Sequence, residues 1–284
     1  MILGGDITGK MIVPIVVQPD GSHKCHFLNR DYIARTREEL LKLEDTVRLN
    51  GFYPYQTTPQ EMEELSTNNS KVASLFSHLM IETLERYLKM AKERLEPAGI
   101  RCYITGGNDD LFEIEPVLNN SDYVINPEGK VVNITEHHEM ISSGYSNITP
   151  WNCPRDIAED KLSEKIQNMA SQVKDMKNCI FSLHCPPYNT GIDTALELNK
   201  DLKIVTQGGR PHEIPVGSTA VRAAIEKFQP LMGFHGHIHE SRGAVKLGRT
   251  LCFNPGSEYS EGILRGVIVD LDKNGIKSYT FTSG

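Results

Sequence analysis

The spacing of apolar residues along the chain predicts four helices. Between Val72 and Leu95, apolar residues recur at intervals of three, four and seven with charged residues between them, which places them on one face of a helix. The Pro-Ala-Gly sequence at 97–99 would end this helix. Ser218 is the expected N-cap of the last helix. The predicted helices span residues 36–50, 72–95, 157–174 and 219–227.

Short apolar runs between turn-forming residues predict strands. The longest runs from Met11 to Val17, and the Pro-Asp-Gly turn at 19–21 leads from it into a second short strand. In the second half of the chain, strands alternate with helices, which is typical of a parallel sheet covered by helices and therefore of an α/β fold. The main predicted strands span residues 11–17, 100–105, 179–183, 231–234, 249–253, 263–270 and 276–281.

Composition and charge exclude several classes of protein. The net charge of −7 argues against a protein that binds nucleic acid through a broad basic face. No apolar run is long enough to cross a bilayer, and we expect neither a membrane anchor nor a signal peptide. We therefore expect a soluble, cytoplasmic protein, and the sequence predicts no particular oligomeric state.

Aspartate, asparagine and histidine residues gather directly after four short apolar segments. Carboxylate, amide and imidazole groups are the ligands that divalent metal ions prefer in proteins. His237 and His239 are two positions apart, so on an extended segment they point to one face. Because the carboxyl ends of parallel strands meet at one edge of a sheet, the sequence predicts a metal site there. The candidate residues are Asp6, Asn108, Asp109, Asp110, His184, His235, His237 and His239.

Five short motifs contain or follow these candidate residues. Together, and in their order along the chain, they resemble the motifs of the calcineurin-like metallophosphoesterase superfamily, and especially of its small prokaryotic members. The resemblance implies an α/β fold in which two packed β-sheets are flanked by helices, a four-layer sandwich. It also implies that a phosphomonoester or a phosphodiester is hydrolysed at a dinuclear metal site. The motifs that carry the resemblance are Gly5-Asp6, Gly107-Asn108-x-Asp110, His184, Gly236-His237-x-His239 and Asn254-Pro255-Gly256-Ser257.

The resemblance implies a role for each matching residue. Asp6 would bridge two divalent metal ions. Asn108, His184 and His237 would complete the coordination of one ion, and His239 would bind the other. These ligands do not distinguish manganese, iron, zinc and nickel as the metal. The implied partner is a small phosphorylated substrate, which is attacked by a hydroxide held between the ions.

Asp109 and Asp110 are the candidate catalytic residues. The usual family sequence Gly-Asn-His-Asp is Gly-Asn-Asp-Asp here, so Asp109 stands where a histidine normally stabilises the phosphoryl oxygens or the leaving group. An ionised Asp109 would repel phosphate. We therefore expect its side chain to point away from the substrate, to be protonated or to meet another cation.

The first motif of the family, Asp-x-His, is missing from the sequence. It should precede Gly5-Asp6 by a few tens of residues, whereas only five residues precede Asp6. We therefore expect the chain to be N-terminally incomplete, or its start to be misassigned. Such a chain would bind about one metal ion with useful affinity and would hydrolyse phosphoesters poorly, because the second ion would lack ligands.

Two alternatives to a complete phosphoesterase stay open. A catalytically impaired fragment, or a metal-binding module with the same fold, would account for the missing ligand pair. The sequence Gly4-x4-Gly9-Lys10 is similar to a phosphate-binding P-loop and would indicate a nucleotide-binding protein. However, Met11 stands where a serine or threonine must contact magnesium, and the residues after it predict a strand where a P-loop requires a helix.

The long stretch between Asp6 and Asn108 carries two of the predicted helices. We expect residues 19–97 to form a helical insertion within one calcineurin-like phosphoesterase domain that spans residues 1–284. An insertion at this place would shape the entrance through which the substrate reaches the metal ions. Deleting residues 19–60 should therefore change the substrate preference.

Overall fold

Helices and strands alternate along the chain, which confirms the α/β fold class predicted from the sequence. The computed structural model describes residues 1–284, and the chain divides into two compact units. The larger unit comprises Met1–Ile7, Ala91–Glu258 and Ile263–Gly284, and the smaller unit comprises Thr8–Met90 and Tyr259–Gly262. None of the helices combines the length and the apolar character that crossing a membrane requires.

Six α-helices and twenty strands form the regular structure. The helices are α1 (Arg37–Leu49), α2 (Pro59–Thr67), α3 (Asn69–Leu95), α4 (Ile114–Asn119), α5 (Glu159–Ala170) and α6 (Thr219–Phe228). The strands are β1 (Ile2–Gly4), β2 (Ile12–Val17), β3 (His23–Phe27), β4 (Arg30–Ala34), β5 (Tyr53–Thr57), β6 (Tyr103–Thr105), β7 (Val131–Asn133), β8 (Glu139–Ser143), β9 (Ser146–Asn147), β10 (Asp156–Ile157), β11 (Ile180–Leu183), β12 (Thr194–Leu196), β13 (Thr206–Gln207), β14 (Arg210–Pro211), β15 (Glu213–Pro215), β16 (Met232–Phe234), β17 (Gly243–Leu247), β18 (Thr250–Asn254), β19 (Arg265–Asp272) and β20 (Gly275–Ser283).

The larger unit contains a six-stranded mixed sheet with the strand order β17-β18-β16-β11-β8-β7. Its four inner strands run parallel, and each edge strand is antiparallel to its neighbour. Ile180 of β11 lies opposite Met140 of β8 and Met232 of β16. The sequence does not predict β8, because its apolar run is only two residues long and follows a histidine pair. The carboxyl ends of the inner strands lie at one edge of the sheet.

Apolar residues cover both faces of this sheet. Successive residues of a strand point to opposite faces. Phe181 therefore belongs to the core formed with α5 and α6, whereas its neighbour Ile180 belongs to a second core. That second core includes Tyr103 of β6 together with residues of β1, β19 and β20. The strand pairs β1–β6 and β19–β20 thus form a second layer of strands over the sheet, opposite the two helices.

The smaller unit has its own four-stranded sheet, in the order β4-β3-β2-β5. Val13 and Ile15 of β2, Phe27 of β3 and Val47 of α1 are buried together in its core. The predicted description of residues 19–97 as helical is incomplete, because β3, β4 and β5 lie inside this range. These strands are only five residues long and each contains polar residues, so their apolar pattern is weak.

Candidate metal centre

Two loops that contain glycine meet at the ends of β1 and β6. These strands are parallel, with Gly4 opposite Thr105, so the chain leaves both strands at the same edge. Asp6 has a φ of 49°, in the left-handed region that few non-glycine residues adopt. At Gly107 a Cβ atom would lie 2.2 Å from the backbone nitrogen of Asp6. Only glycine fits there, so this residue allows the two loops to approach each other.

Two histidines follow neighbouring strands of the six-stranded sheet. His184 comes directly after β11, and His237 comes shortly after the parallel strand β16. His237 has a φ of 64°, which is also left-handed. Such conformations cost free energy and are frequent at functional sites, where surrounding contacts maintain them. Asp6, His184 and His237 each offer one atom that could bind a metal ion, and these three atoms all lie within 4.8 Å of one another.

Asn108 adds a fourth atom that could bind a metal ion, its side-chain oxygen. Its Oδ1 atom lies 3.1 Å from Nε2 of His184, and Oδ2 of Asp6 lies 3.3 Å from the same nitrogen. Asn108 and His184 are 2% and 3% exposed, so bulk water does not reach their polar atoms freely. Four of the five predicted metal ligands therefore lie together: Asp6, Asn108, His184 and His237.

The hydrogen bonds of His184 fit a bound cation. Its Nδ1 atom lies 2.9 Å from the carbonyl oxygen of Gly4, which can only accept, so Nδ1 carries a hydrogen in both the neutral and the protonated ring. In the neutral ring, Nε2 would present a lone pair to two further acceptors, the oxygens of Asp6 and Asn108. Three lone pairs that converge in a buried site are unfavourable unless a proton or a metal ion lies between them. Carboxylate, amide oxygen and imidazole together suit a divalent transition metal.

The two histidines of the cluster differ in their affinity for protons. Burial is the largest single influence and lowers the pKa of His184. The Asp6 carboxylate, the Gly4 carbonyl oxygen and the Asp110 carboxylate together outweigh it, so the pKa is raised above its usual value. Burial, helped by the neighbouring His184, lowers the pKa of His237 to about 3. The His237 ring is therefore neutral at physiological pH, which is the form that coordinates metals. Its Nε2 atom lies 3.3 Å from the Ser146 hydroxyl.

The two candidate catalytic aspartates occupy different environments. Asp109 is exposed, and its backbone N–H donates to Oδ1 of Asp6 at 3.2 Å. Asp110 is fully buried, and its Oδ2 atom accepts hydrogen bonds from the backbone N–H groups of Gly107 at 2.6 Å and Ile7 at 3.0 Å. The Asp110 carboxylate therefore joins the two loops of the site. This geometry favours a structural role for Asp110 over a catalytic one.

Of His235, His237 and His239, only His237 belongs to the compact cluster with Asp6 and His184. His239 lies outside that cluster, although it is near enough to His237 to contribute to the lowered pKa of that ring. His235 is buried, and its Nδ1 atom lies 2.8 Å from the carbonyl oxygen of Leu183. Burial lowers the pKa of His235 to about 4, so its ring is a neutral part of the core.

Two residues that support the site are not identified by the sequence analysis. The side chain of Arg155 is 1% exposed, and its guanidinium donates to the Gly107 carbonyl oxygen at 3.2 Å and to Oε1 of Glu115 at 2.8 Å. Oδ1 of Asp156 accepts a hydrogen bond from Nδ2 of Asn108 at 2.9 Å. These partners stand 40 to 48 positions apart in the chain. No local pattern indicates such distant contacts.

The chain is related in sequence to a curated protein. No family model matches the chain. Over 151 residues, the chain is 37% identical to the uncharacterized protein MJ1162 of Methanocaldococcus jannaschii. The matched part is 52% of this chain and 61% of that protein, so the chain spans less than two thirds of the length of its curated relative.

Several solved structures align with this chain at low sequence identity. The protein TT1561 of Thermus thermophilus is 15% identical with a TM-score of 0.44, over 96% of this chain and 97% of that chain. Sulfate thiohydrolase SoxB of Thermus thermophilus, in complex with glycerol, is 11% identical with a TM-score of 0.38, over 86% and 41%. A novel archaeal phosphodiesterase is 17% identical with a TM-score of 0.27, over 69% and 90%. Each is a distant likeness that says nothing of the substrate of this chain.

Proposed function

We propose that this chain is a metal-dependent phosphoesterase of the calcineurin-like type. The observation that carries the proposal is the convergence of three acceptor atoms, from Asp6, Asn108 and His184, beside the neutral ring of His237. Their order along the chain is also the order of the motifs that resemble this superfamily. In its finer form, the proposal includes a second ion held by Asp6 and His239, and a four-layer arrangement of two sheets between helices.

The chain's own residues would hold and orient the ions. A metal ion held there would provide a hydroxide nucleophile and would stabilise the charge on the phosphoryl oxygens. Asp6 contributes one negative charge, whereas the amide of Asn108 and the two imidazoles are neutral. This ligand set leaves net positive charge at the site, which favours an anionic phosphoester. The exposed Asp109 lies beside Asp6, where a carboxylate turned towards the substrate would repel it.

A metal-binding module without efficient turnover is the second candidate function. It is favoured by the position of His239 outside the donor cluster, since the clustered ligands suffice for one ion. The P-loop alternative is wrong, because the element directly after Lys10 and Met11 is the strand β2, which begins at Ile12, and not a helix.

Metal content and phosphoester hydrolysis of the Asp6→Asn variant test the proposal. Protein loaded with Mn²⁺ and dialysed would be analysed for bound metal, and para-nitrophenyl phosphate and its bis-aryl diester would serve as substrates. We expect Asp6→Asn to lose both bound metal and turnover, because it removes the anionic ligand of the cluster. Asp109→Asn should leave turnover unchanged or raise it, because it removes a charge that repels the substrate.

Asp175→Asn is the matched control for these variants. Asp175 accepts hydrogen bonds from the Lys177 backbone N–H and from Asn178 ahead of β11, at the opposite end of this strand from His184. Its substitution should change neither metal content nor turnover. A wild-type chain that retains no metal would refute the proposal. Metal binding without hydrolysis of either substrate would favour the metal-binding module, and a thousandfold loss in Asp109→Asn with intact metal content would make Asp109 a general acid.

A further inference from the structure

Asp156 receives four hydrogen bonds from two different parts of the larger unit. Its Oδ1 atom accepts from Nδ2 of Asn108 at 2.9 Å. Its Oδ2 atom accepts from the backbone N–H of Thr149 at 3.0 Å, from the Thr149 hydroxyl at 2.5 Å and from the backbone N–H of Cys153 at 3.0 Å. One carboxylate thus joins the Asn108 side chain to the loop at 148–153.

These contacts determine which end of the Asn108 amide faces the metal cluster. An amide has one oxygen that accepts and one nitrogen that donates, and the two ends exchange places when the group turns by half a turn. An ionised carboxylate only accepts hydrogen bonds, so Asp156 requires the donating end of Asn108. The accepting end, Oδ1, then points at Nε2 of His184, 3.1 Å away. A turned amide would present N–H groups to the place where a cation is expected.

We propose that Asp156 is a positioning residue that fixes the Asn108 amide with its oxygen towards the metal ion. The proposal rests on the proposed function, because it requires a metal ion beside Asn108 and His184. Asp156 itself does not belong to the compact group of possible ligand atoms formed by Asp6, His184 and His237, and both of its oxygens accept hydrogen bonds. Replacing a residue that contacts a metal ligand but not the metal itself commonly weakens metal affinity by about 10- to 100-fold.

Exchanging the side chains at positions 108 and 156 tests whether Asp156 orients the Asn108 amide or only supports the 148–153 loop. In Asp156→Asn, the new amide oxygen satisfies the Thr149 and Cys153 donors, and its N–H groups then face Asn108. The Asn108 amide must turn to accept them, which directs its own N–H groups at the metal. In Asn108→Asp combined with Asp156→Asn, the carboxylate at 108 offers oxygen in both directions and accepts from the amide at 156.

The measurement is the affinity for Mn²⁺ by calorimetry, with Mn²⁺ alone as the probe. We expect Asp156→Asn to bind Mn²⁺ about 10- to 100-fold more weakly than wild type. The double variant should recover most of this loss, and Asp175→Asn should bind as wild type does. Trp151, the single tryptophan, lies within the 148–153 loop, and its fluorescence provides a second signal for metal binding and for the state of this loop.

The outcomes separate this inference from the proposed function. If wild type binds no Mn²⁺, both are overturned. If wild type binds Mn²⁺ and Asp156→Asn binds it equally well, only the positioning role is overturned. If the double variant is weaker than Asp156→Asn while thermal unfolding shows both to be folded, Asp156 supports the loop without orienting Asn108, and the inference is again wrong.

Discussion

The smaller unit and the metal centre of the larger unit depend on contacts of very different range. In the smaller unit, α1 begins at a capping box. The Thr36 hydroxyl accepts from the Glu39 backbone N–H, and the Glu39 carboxylate accepts from the Thr36 backbone N–H, both at 3.2 Å. In the metal centre, the hydrogen bond between Ile7 and Asp110 joins residues 103 positions apart. Local sequence therefore determines where this helix starts, whereas chain topology determines which side chains form the site.

Replacement of Arg155 is the strongest way to test the long-range side of this comparison. Its guanidinium donates to the carbonyl oxygens of Gly107 and Asp110 and to the Glu115 carboxylate, and it lies 4.6 Å from the centre of the Phe112 ring. Arg155→Met would leave two buried carbonyl oxygens and the partly buried Glu115 carboxylate without their partner. We expect the free energy of unfolding to fall by roughly 3–5 kcal/mol, as measured by denaturant titration.

Arg48→Met is the matched control for Arg155→Met. Arg48 lies in the last turn of α1 and pairs with Glu44 and Asp45, four and three positions away, both at 3.1 Å. Ion pairs of this kind on a helix surface contribute about 0.2–1 kcal/mol. Equal losses for the two variants would show that the buried arginine is no more important than a surface ion pair, and the comparison would fail.

The same difference of range explains which parts of the molecule the sequence predicts. α6 begins after Ser218, as predicted, because the signal is the hydroxyl of one residue that accepts from the Val221 backbone N–H three positions later. Asp6, Asn108, His184 and His237 are found because each follows the end of a strand within three residues. The sequence does not predict β8, because its apolar run is too short. It also does not predict the contact of Asp156 with Asn108, because that contact depends on how distant segments pack.

Removal of the α1 cap tests the local side of the comparison. Thr36→Ala leaves the Glu39 backbone N–H without its side-chain acceptor, and we expect a loss of about 1 kcal/mol in the free energy of unfolding. Thr46→Ala is the control inside the same helix, where the hydroxyl donates to the Lys42 carbonyl oxygen. Alanine is the better helix former there, so this variant should be neutral or slightly more stable. If both variants lose the same stability, the capping box is not what stabilises the start of α1.

His138 gives the smallest predicted effect, and it tests whether a buried group outside the metal centre responds to pH. It lies directly before β8, is 3% exposed, and its Nδ1 atom lies 2.8 Å from the Thr135 hydroxyl. Burial lowers the pKa of His138 below its usual value of 6.5. Between that value and its lower pKa in the folded chain, the unfolded chain binds the proton more readily.

Because protonation favours the unfolded chain in this range, His138 stabilises the fold above pH 6.5 and loses that contribution as the pH falls below it. His138→Gln removes the titrating ring, so the free energy of unfolding should fall less steeply with decreasing pH below about 6.5 than it does in wild type. His78→Gln, which changes an exposed histidine on α3, serves as the control. The measurement is a series of denaturant titrations from about pH 7.5 to about pH 5 on metal-free protein. A slope unchanged by His138→Gln would show that the proton on His138 does not contribute to the acid sensitivity of the fold.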